Sequence, residues 1–241
     1  MLTETLKDLR ALRLGAMAAC LQEWMDQPAN HDRPSLECVE ALVLAQKQDA
    51  ADHRVERFFR EADLPVACVA DVRTTTQRGL PPRVLCQLAS CDWVRQGHQV
   101  VIMGPSGAGK TFVASALGRE AMLLKLGVTY WRTPDLLETL GDTPAGAART
   151  KQFRSLSRVP LLILDDFAAQ KTTMSQGYDL LKVLDSRRRH GRATLVVSPN
   201  HLQDWETYFD DTTTADAVCS RLAEKVQVIE LQRPKPPTRS A

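Results

Sequence analysis

Gly104-Pro105-Ser106-Gly107-Ala108-Gly109-Lys110-Thr111 decides how the chain is read. It satisfies G-x-x-x-x-G-K-[ST] at every required position. Its flanks are those the pattern demands. The apolar run Gln99-Val100-Val101-Ile102-Met103 reads as a buried strand, and Phe112 to Leu126 as a helix with Val113, Leu117, Ala121 and Leu124 on one face. Glycines let such a loop turn its backbone N–H groups inward, and the helix N-terminus adds its positive dipole end. Lys110 then reaches the β- and γ-phosphates, and the Thr111 hydroxyl is placed to ligate Mg²⁺. The expectation is a nucleoside-triphosphate site made by Gly104 to Thr111, with ATP and Mg²⁺ as its ligands.

About fifty residues on, Pro160-Leu161-Leu162-Ile163-Leu164-Asp165-Asp166 is an apolar strand ending in two carboxylates. After a full phosphate loop, that is where a strand supplies the metal and water partners. Asp165 is expected in the Mg²⁺ shell and Asp166 to orient or deprotonate the attacking water. An aspartate reaches less far than a glutamate, so slow hydrolysis is expected. The next apolar strand runs from Ala193 into Ser198-Pro199-Asn200, and Ser198 or Asn200 is a candidate sensor of the γ-phosphate.

Working outward, strands are expected near 99–103, 128–132, 160–165, 193–198 and 226–231. Helices are expected near 110–126, 134–141, 147–157, 175–190 and 214–224. Thr133-Pro134 is a helix start and Gly191 a helix stop. Alternation of this kind means a five-stranded parallel α/β sheet. Residues 1–62 read as a small all-helical interaction domain, with Leu36, Val39, Leu42 and Val43 turned inward. Residues 63–83 are a proline-broken linker and 84–232 the ATPase domain. The tail from 233 to 241 is basic, proline-rich and expected to be disordered.

The 241 residues carry a net charge of only +2, so any DNA binding must use locally gathered charge or several subunits. Lys151, Arg154 and Arg158 share one face at helical spacing, and Arg187-Arg188-Arg189-His190 closes a later helix. Lys151, Arg154, Arg158 and Arg188 are the candidate phosphate contacts, with weak sequence preference since no base-reading motif is present. Six cysteines without a C-x-x-C pair point to reduced thiols rather than zinc or disulfides. Without an apolar span or a leader-like start, the expected place is the cytoplasm.

Taken together, these pieces resemble the IstB-like transposition helper ATPases, which are grouped with DnaC-type helicase loaders among the AAA+ proteins. The likeness rests on Leu6 through Met17, Asp92-Trp93-Val94-Arg95-Gln96-Gly97, Gly104 to Thr111, Leu161 to Asp166, Ser198 through Trp205 and Ser220-Arg221-Leu222. It implies an AAA+ fold, nucleotide-driven homo-oligomers on duplex DNA and a transposase partner; the alternative client is a replicative helicase. Spacing alone makes Arg221 a surface arginine, whereas the resemblance implies that it completes a neighbouring subunit's ATP site. The family usually has Asn or Gln after Ser198, where this chain has Pro199, and this shifts the sensor amide to Asn200. A metabolic kinase is disfavoured, because no acceptor-binding constellation is visible.

Overall fold

A computed structural model describes residues 2–30, 33–61 and 64–233, with the backbone alone at 51, 52 and 54–61. The chain forms two compact units, Met1–Arg57 and Phe58–Ala241. The reading placed on the tail after Arg233 lies outside the described residues.

In the first unit, α1 (Leu2–Ala11) and α2 (Gly15–Asp26) are separate helices. Arg13 takes a left-handed conformation (φ 62°) and the Leu14 N–H turns back to the Leu9 carbonyl at 2.8 Å, ending α1 before Gly15. Leu6 and Ala18 are buried. The stripe expected to point inward on α3 (Ser35–Glu61) does not: Leu36 is 68% exposed and Val39 51%. So small a unit has too little interior to cover a long helix.

The second unit begins with short turns and then α4 (Pro82–Ala89) and α5 (Asp92–Arg95), which Cys91 separates by a left-handed φ of 55°. There follow β1 (Gln99–Met103), α6 (Lys110–Leu123), β2 (Val128–Arg132), α7 (Thr133–Asp142), α8 (Ala147–Arg158) and β3 (Leu161–Asp165). The chain ends with α9 (Met174–Arg189), β4 (Ala193–Ser198), a 3₁₀ segment (Leu202–Tyr208), α10 (Thr212–Ala223) and β5 (Val226–Glu230). Pro134 opens α7 and Gly191 follows α9 with φ 58°, as their chemistry demands. Thr173 and Gln176 form a reciprocal capping box on α9, which their T-x-x-Q spacing encodes.

All five strands are parallel, in the order β2-β3-β4-β1-β5. Alternate strand residues divide the interior into two layers. Val100, Ile102, Leu161, Ile163, Leu195 and Val197 face Leu85 and Leu88 of α4 and Val113, Ala114, Leu117 and Ala121 of α6. Val101, Leu162, Leu164 and Val196 face Leu136 and Leu140 of α7, Phe153 and Leu156 of α8, Leu180, Val183 and Leu184 of α9, and Val218 and Leu222 of α10. Every residue of β3 and β4 is buried, which is why both read as unbroken apolar runs. Since each fully buried aliphatic side chain stabilises by about 1.5–3 kcal/mol, these two layers hold the sheet rigid beneath its loops.

Arg187 on α9 is 1% exposed, and among the described residues no carboxylate pairs with it. Its guanidinium donates to the carbonyls of Leu156, Val159 (3.0 Å) and Ala193, and its Nε to the Thr194 hydroxyl at 3.1 Å. It thus ties the end of α8 and the start of β4 to α9. Burial, helped by nearby Arg192, pulls its pKa down to about 9, and the ring of carbonyl dipoles supports the charge that remains.

Candidate nucleotide site at the carboxyl edge of the sheet

Because the strands are parallel, their carboxyl ends gather at one edge, and ligands of such sheets bind there. Met103 at the end of β1 pairs with Ser198 of β4, and Arg132 of β2 pairs with Asp165 of β3. Residues scattered over about a hundred positions become neighbours in this way.

The phosphate loop leaves β1 at Gly104, where φ is 142° and an added Cβ would lie 2.1 Å from the Leu231 carbonyl oxygen. Leu231 is held there by its N–H to Met103 O at 2.7 Å, so no side chain fits. Gly109 (φ 83°) turns the chain into α6. There the Lys110 ammonium folds back and donates to the carbonyls of Gly104 (2.7 Å) and Pro105 (3.1 Å). Burial lowers the Lys110 pKa, and the charges of Asp165 and Asp166 act in the opposite direction. Pro105, Ser106 and Gly107 are exposed at the tip, while Ala108 is buried as the loop's anchor.

Asp165 is 2% exposed. Its Oδ2 accepts from the Tyr130 hydroxyl at 2.9 Å and its Oδ1 from the Asp166 N–H at 2.8 Å, while the Thr133 hydroxyl donates to its carbonyl at 2.8 Å. Burial, followed by the Asp165 charge, raises the Tyr130 pKa, so the phenol stays a donor. Each carboxylate oxygen keeps a lone pair, and the Thr111 hydroxyl makes no hydrogen bond among the described residues. A carboxylate, a hydroxyl and phosphate oxygens are the hard oxygen donors that Mg²⁺ takes, so these residues fit the ion.

Asp166 stands in a left-handed conformation (φ 52°) with its carboxylate partly open to solvent. Its Oδ2 receives two hydrogen bonds from Arg132, from Nε at 3.1 Å and a terminal nitrogen at 3.0 Å. This pairing raises the Arg132 pKa. Arg132 was not among the sequence candidates. Its only sequence signal was its place at the end of the expected strand 128–132, and its meaning needed the knowledge that β2 lies beside β3.

Of the two sensor candidates, Ser198 is fully buried and its hydroxyl is committed internally. It donates to Phe167 O at 2.8 Å and accepts from the Trp205 indole at 3.0 Å and the Asn200 N–H at 3.1 Å. Ser198 therefore organises the turn. The Asn200 amide, which donates to Ala168 O at 2.7 Å, is half-buried and more open at this edge.

The segment ahead of α4 also contributes. Arg78 donates to Ala108 O at 2.7 Å and to Arg73 O at 2.5 Å, but its buried Nε has no partner. Gln232 N–H donates to Arg78 O at 2.9 Å, and Arg233 to Ser106 O at 3.0 Å. Arg73, Thr75, Gln77, Arg78, Pro105 and Arg233 border a cleft of about 830 Å³ beside the loop. An unpaired guanidinium nitrogen and positive-φ glycines around a lysine fit a polyphosphate.

Arg221 lies elsewhere. It is on α10 near the amino edge of the sheet, and its Nε donates to Asp185 Oδ1 of α9 at 2.6 Å. Rather than pointing free into solvent, it is half-buried in an ion pair. The expected phosphate contacts also separate. Lys151, Arg154 and Arg158 are exposed on α8, whereas Arg188 is bound to Glu224 at 2.7 Å. All six cysteines are free thiols, and burial raises Cys91 and Cys219 to about 11, which keeps them unreactive. Among the described residues no helix is long and apolar enough to cross a membrane.

Comparison with known proteins agrees with this geometry. The chain is 37% identical over 203 residues to an IS1162 insertion-sequence ATP-binding protein of Pseudomonas fluorescens, covering 82% of this chain and 86% of that one. It is 32% identical to an insertion-sequence ATP-binding protein of Sinorhizobium fredii, covering 94% and 92%. The crystal structure of the DnaC helicase loader superposes with a TM-score of 0.57 at 18% identity, over 73% of this chain and 99% of the loader, which establishes an AAA+ fold. With residues 7–234 matching the family model described as IstB-like ATP binding protein, the chain belongs to that family.

Proposed function

We propose that the protein is an ATP-driven helper of insertion-sequence transposition that assembles on duplex DNA and recruits or activates a transposase. Thr111 and Asp165 would hold Mg²⁺ against the phosphates, which supplies charge neutralisation there. Lys110 withdraws from the Gly104 and Pro105 carbonyls to meet the β- and γ-phosphates, and Asp166 positions the attacking water. Relatives carried by insertion sequences support the client, and the topology supports coupling of fuel to assembly.

The observation that carries this reading is the place of Arg221. The phosphate loop leaves the carboxyl end of β1 and enters α6 on one face of the sheet. Arg221 belongs to the other face, one turn before the chain re-enters the sheet at the amino end of β5. It therefore cannot complete its own protomer's site and, on leaving Asp185, can reach a neighbour's. With Mg²⁺ and a non-hydrolysable ATP analogue, the protein should form higher-order particles on duplex DNA, measured by light scattering. Arg221→Ala should leave ATP binding intact and abolish those particles. Equal DNA binding with ATP, with ADP and without nucleotide would sink the proposal.

A second expectation concerns Asp166. Arg132 holds Oδ2 with two hydrogen bonds, so one of the two carboxylate oxygens is committed to the guanidinium. Arg132→Ala should raise DNA-independent turnover about two- to fivefold, the size expected for an exposed pair, with the KM for ATP unchanged. A fall in turnover would instead make Arg132 part of the productive arrangement.

A further inference from the structure

Helices α8 and α9 are joined at one end by Arg149, whose guanidinium meets Asp179 at 2.6 Å, and at mid-length by the Lys182 ammonium, 4.7 Å above the Phe153 ring. Toward their C-termini the tie runs inside, through buried Arg187 to the Leu156 and Val159 carbonyls, and among the described residues no ion pair joins their outer faces. Arg154, Ser157 and Arg158 of α8 and Lys182, Ser186 and Arg189 of α9 border a cleft of about 240 Å³. On the outer side of α8, Lys151, Arg154 and Arg158 border a second cleft of about 440 Å³. Among the described residues no carboxylate lines either cleft.

The state of these cations is unusual for the region. Arg149, Arg187, Arg188 and Arg221 all have acceptors. Lys151, Arg154, Arg158 and Arg189 make no hydrogen bond or ion pair among the described residues, and Lys182 has only the Phe153 ring. The carboxylates that could have neutralised them are already engaged, Asp179 by Arg149 and Asp185 by Arg221. Unpaired like charges gathered in one groove repel one another, and an anion relieves that cost.

The spacing selects the kind of anion. Lys151 to Arg158 and Lys182 to Arg189 each span seven residues, or about 10 Å at 1.5 Å per residue. A single phosphate would use one end of such a row. A duplex strand advances about 3.4 Å per phosphate and offers each row about three charges. The cleft has serine hydroxyls but no side-chain amide to read base edges, and Phe153 is buried under Lys182 rather than open for stacking.

We propose that the groove between the C-terminal halves of α8 and α9 seats the phosphate backbone of duplex DNA without regard to sequence. Lys182 and Arg189 form one wall and Arg154 and Arg158 the other, with Lys151 extending the second. This rests on the reading that the protein assembles on DNA, and it excludes Arg188 from the contact. The groove lies at the amino edge of the sheet, away from its own protomer's phosphate loop, so DNA seated there does not occupy that loop.

The test is fluorescence anisotropy of a labelled duplex with the full chain, Mg²⁺ and a non-hydrolysable ATP analogue, titrated over salt. K182A/R189A and R154A/R158A should each flatten the slope of log affinity against log salt by about 2, from about 0.9 per lost phosphate contact. Their melting temperatures should match the unmodified protein, and K182R/R189K should restore the slope. Arg188→Ala should leave it unchanged. An unaltered slope in both double variants, or an equal loss in Arg188→Ala, overturns the groove while leaving DNA assembly standing. Loss of polyglutamate binding with DNA binding intact would make the groove a protein-docking site and overturn the proposal as well. Absence of DNA binding by the unmodified protein in every nucleotide state would remove the parent reading and the groove together.

Discussion

Replacing Lys110 by alanine is expected to lower ATP affinity about 30- to 1000-fold, the consequence of losing about 2–4 kcal/mol from a partly buried, charge-assisted contact. The ammonium lies between the Gly104 and Pro105 carbonyls with Asp165 and Asp166 as its nearest acidic influences. A triphosphate would add a stronger acceptor at the same place. Thermal denaturation separates this effect from misfolding. A ligand at about a hundred times its Kd stabilises the folded state by about 2.7 kcal/mol, worth roughly 5–10 °C in a chain of this size. ATP with Mg²⁺ should give that rise in the unmodified protein and none in Lys110→Ala, whose own melting temperature without nucleotide should be near normal. A variant that keeps the full ATP-induced rise would move the triphosphate away from the loop. Lys110→Arg tests geometry against charge, because the wide planar fork cannot enter the space between two carbonyls of one tight turn. It should fail nearly as badly.

The largest loss of stability is expected at Arg187, which touches no nucleotide. Arg187→Leu keeps an apolar stem but leaves the carbonyls of Leu156, Val159 and Ala193 and the Thr194 hydroxyl without their donor. Each buried acceptor so orphaned costs about 1–3 kcal/mol, partly recovered because the charged group need no longer be buried. A net loss of about 3–5 kcal/mol, or roughly 6–20 °C in melting temperature, should follow. Urea denaturation followed by tryptophan fluorescence measures it, since Trp205 is fully buried in the same layer of the core. Arg187→Lys should recover only part, for one ammonium cannot span acceptors on α8 and β4 together. A loss of less than about 1 kcal/mol would mean that solvent or rearrangement replaces the guanidinium.

Sequence and structure divided the information along a physical line. Gly104 to Thr111 was legible because its chemistry is local: eight contiguous residues set the loop's backbone and side chains regardless of what packs around them. The five strands were legible because β3 and β4 are buried on both faces and so are apolar without interruption. Asp165 could be assigned for the same reason, as the first charge that such a strand can carry at its end. The inward face of α3 was misread, since periodicity shows a stripe without showing whether anything covers it.

The sequence by itself therefore determined a parallel-sheet ATP-binding protein and its phosphate loop. Tertiary structure alone decided that Arg132 holds Asp166, that Asp185 holds Arg221 and that Arg187 bridges α8 to β4. The first two pairs join residues 34 and 36 positions apart. Whether such residues meet depends on which strands and helices are neighbours, here β2 beside β3 and α9 beside α10. Hydrophobic period encodes which face of an element is buried and says nothing of the element beside it, so partnerships across elements come into being only when the chain has folded.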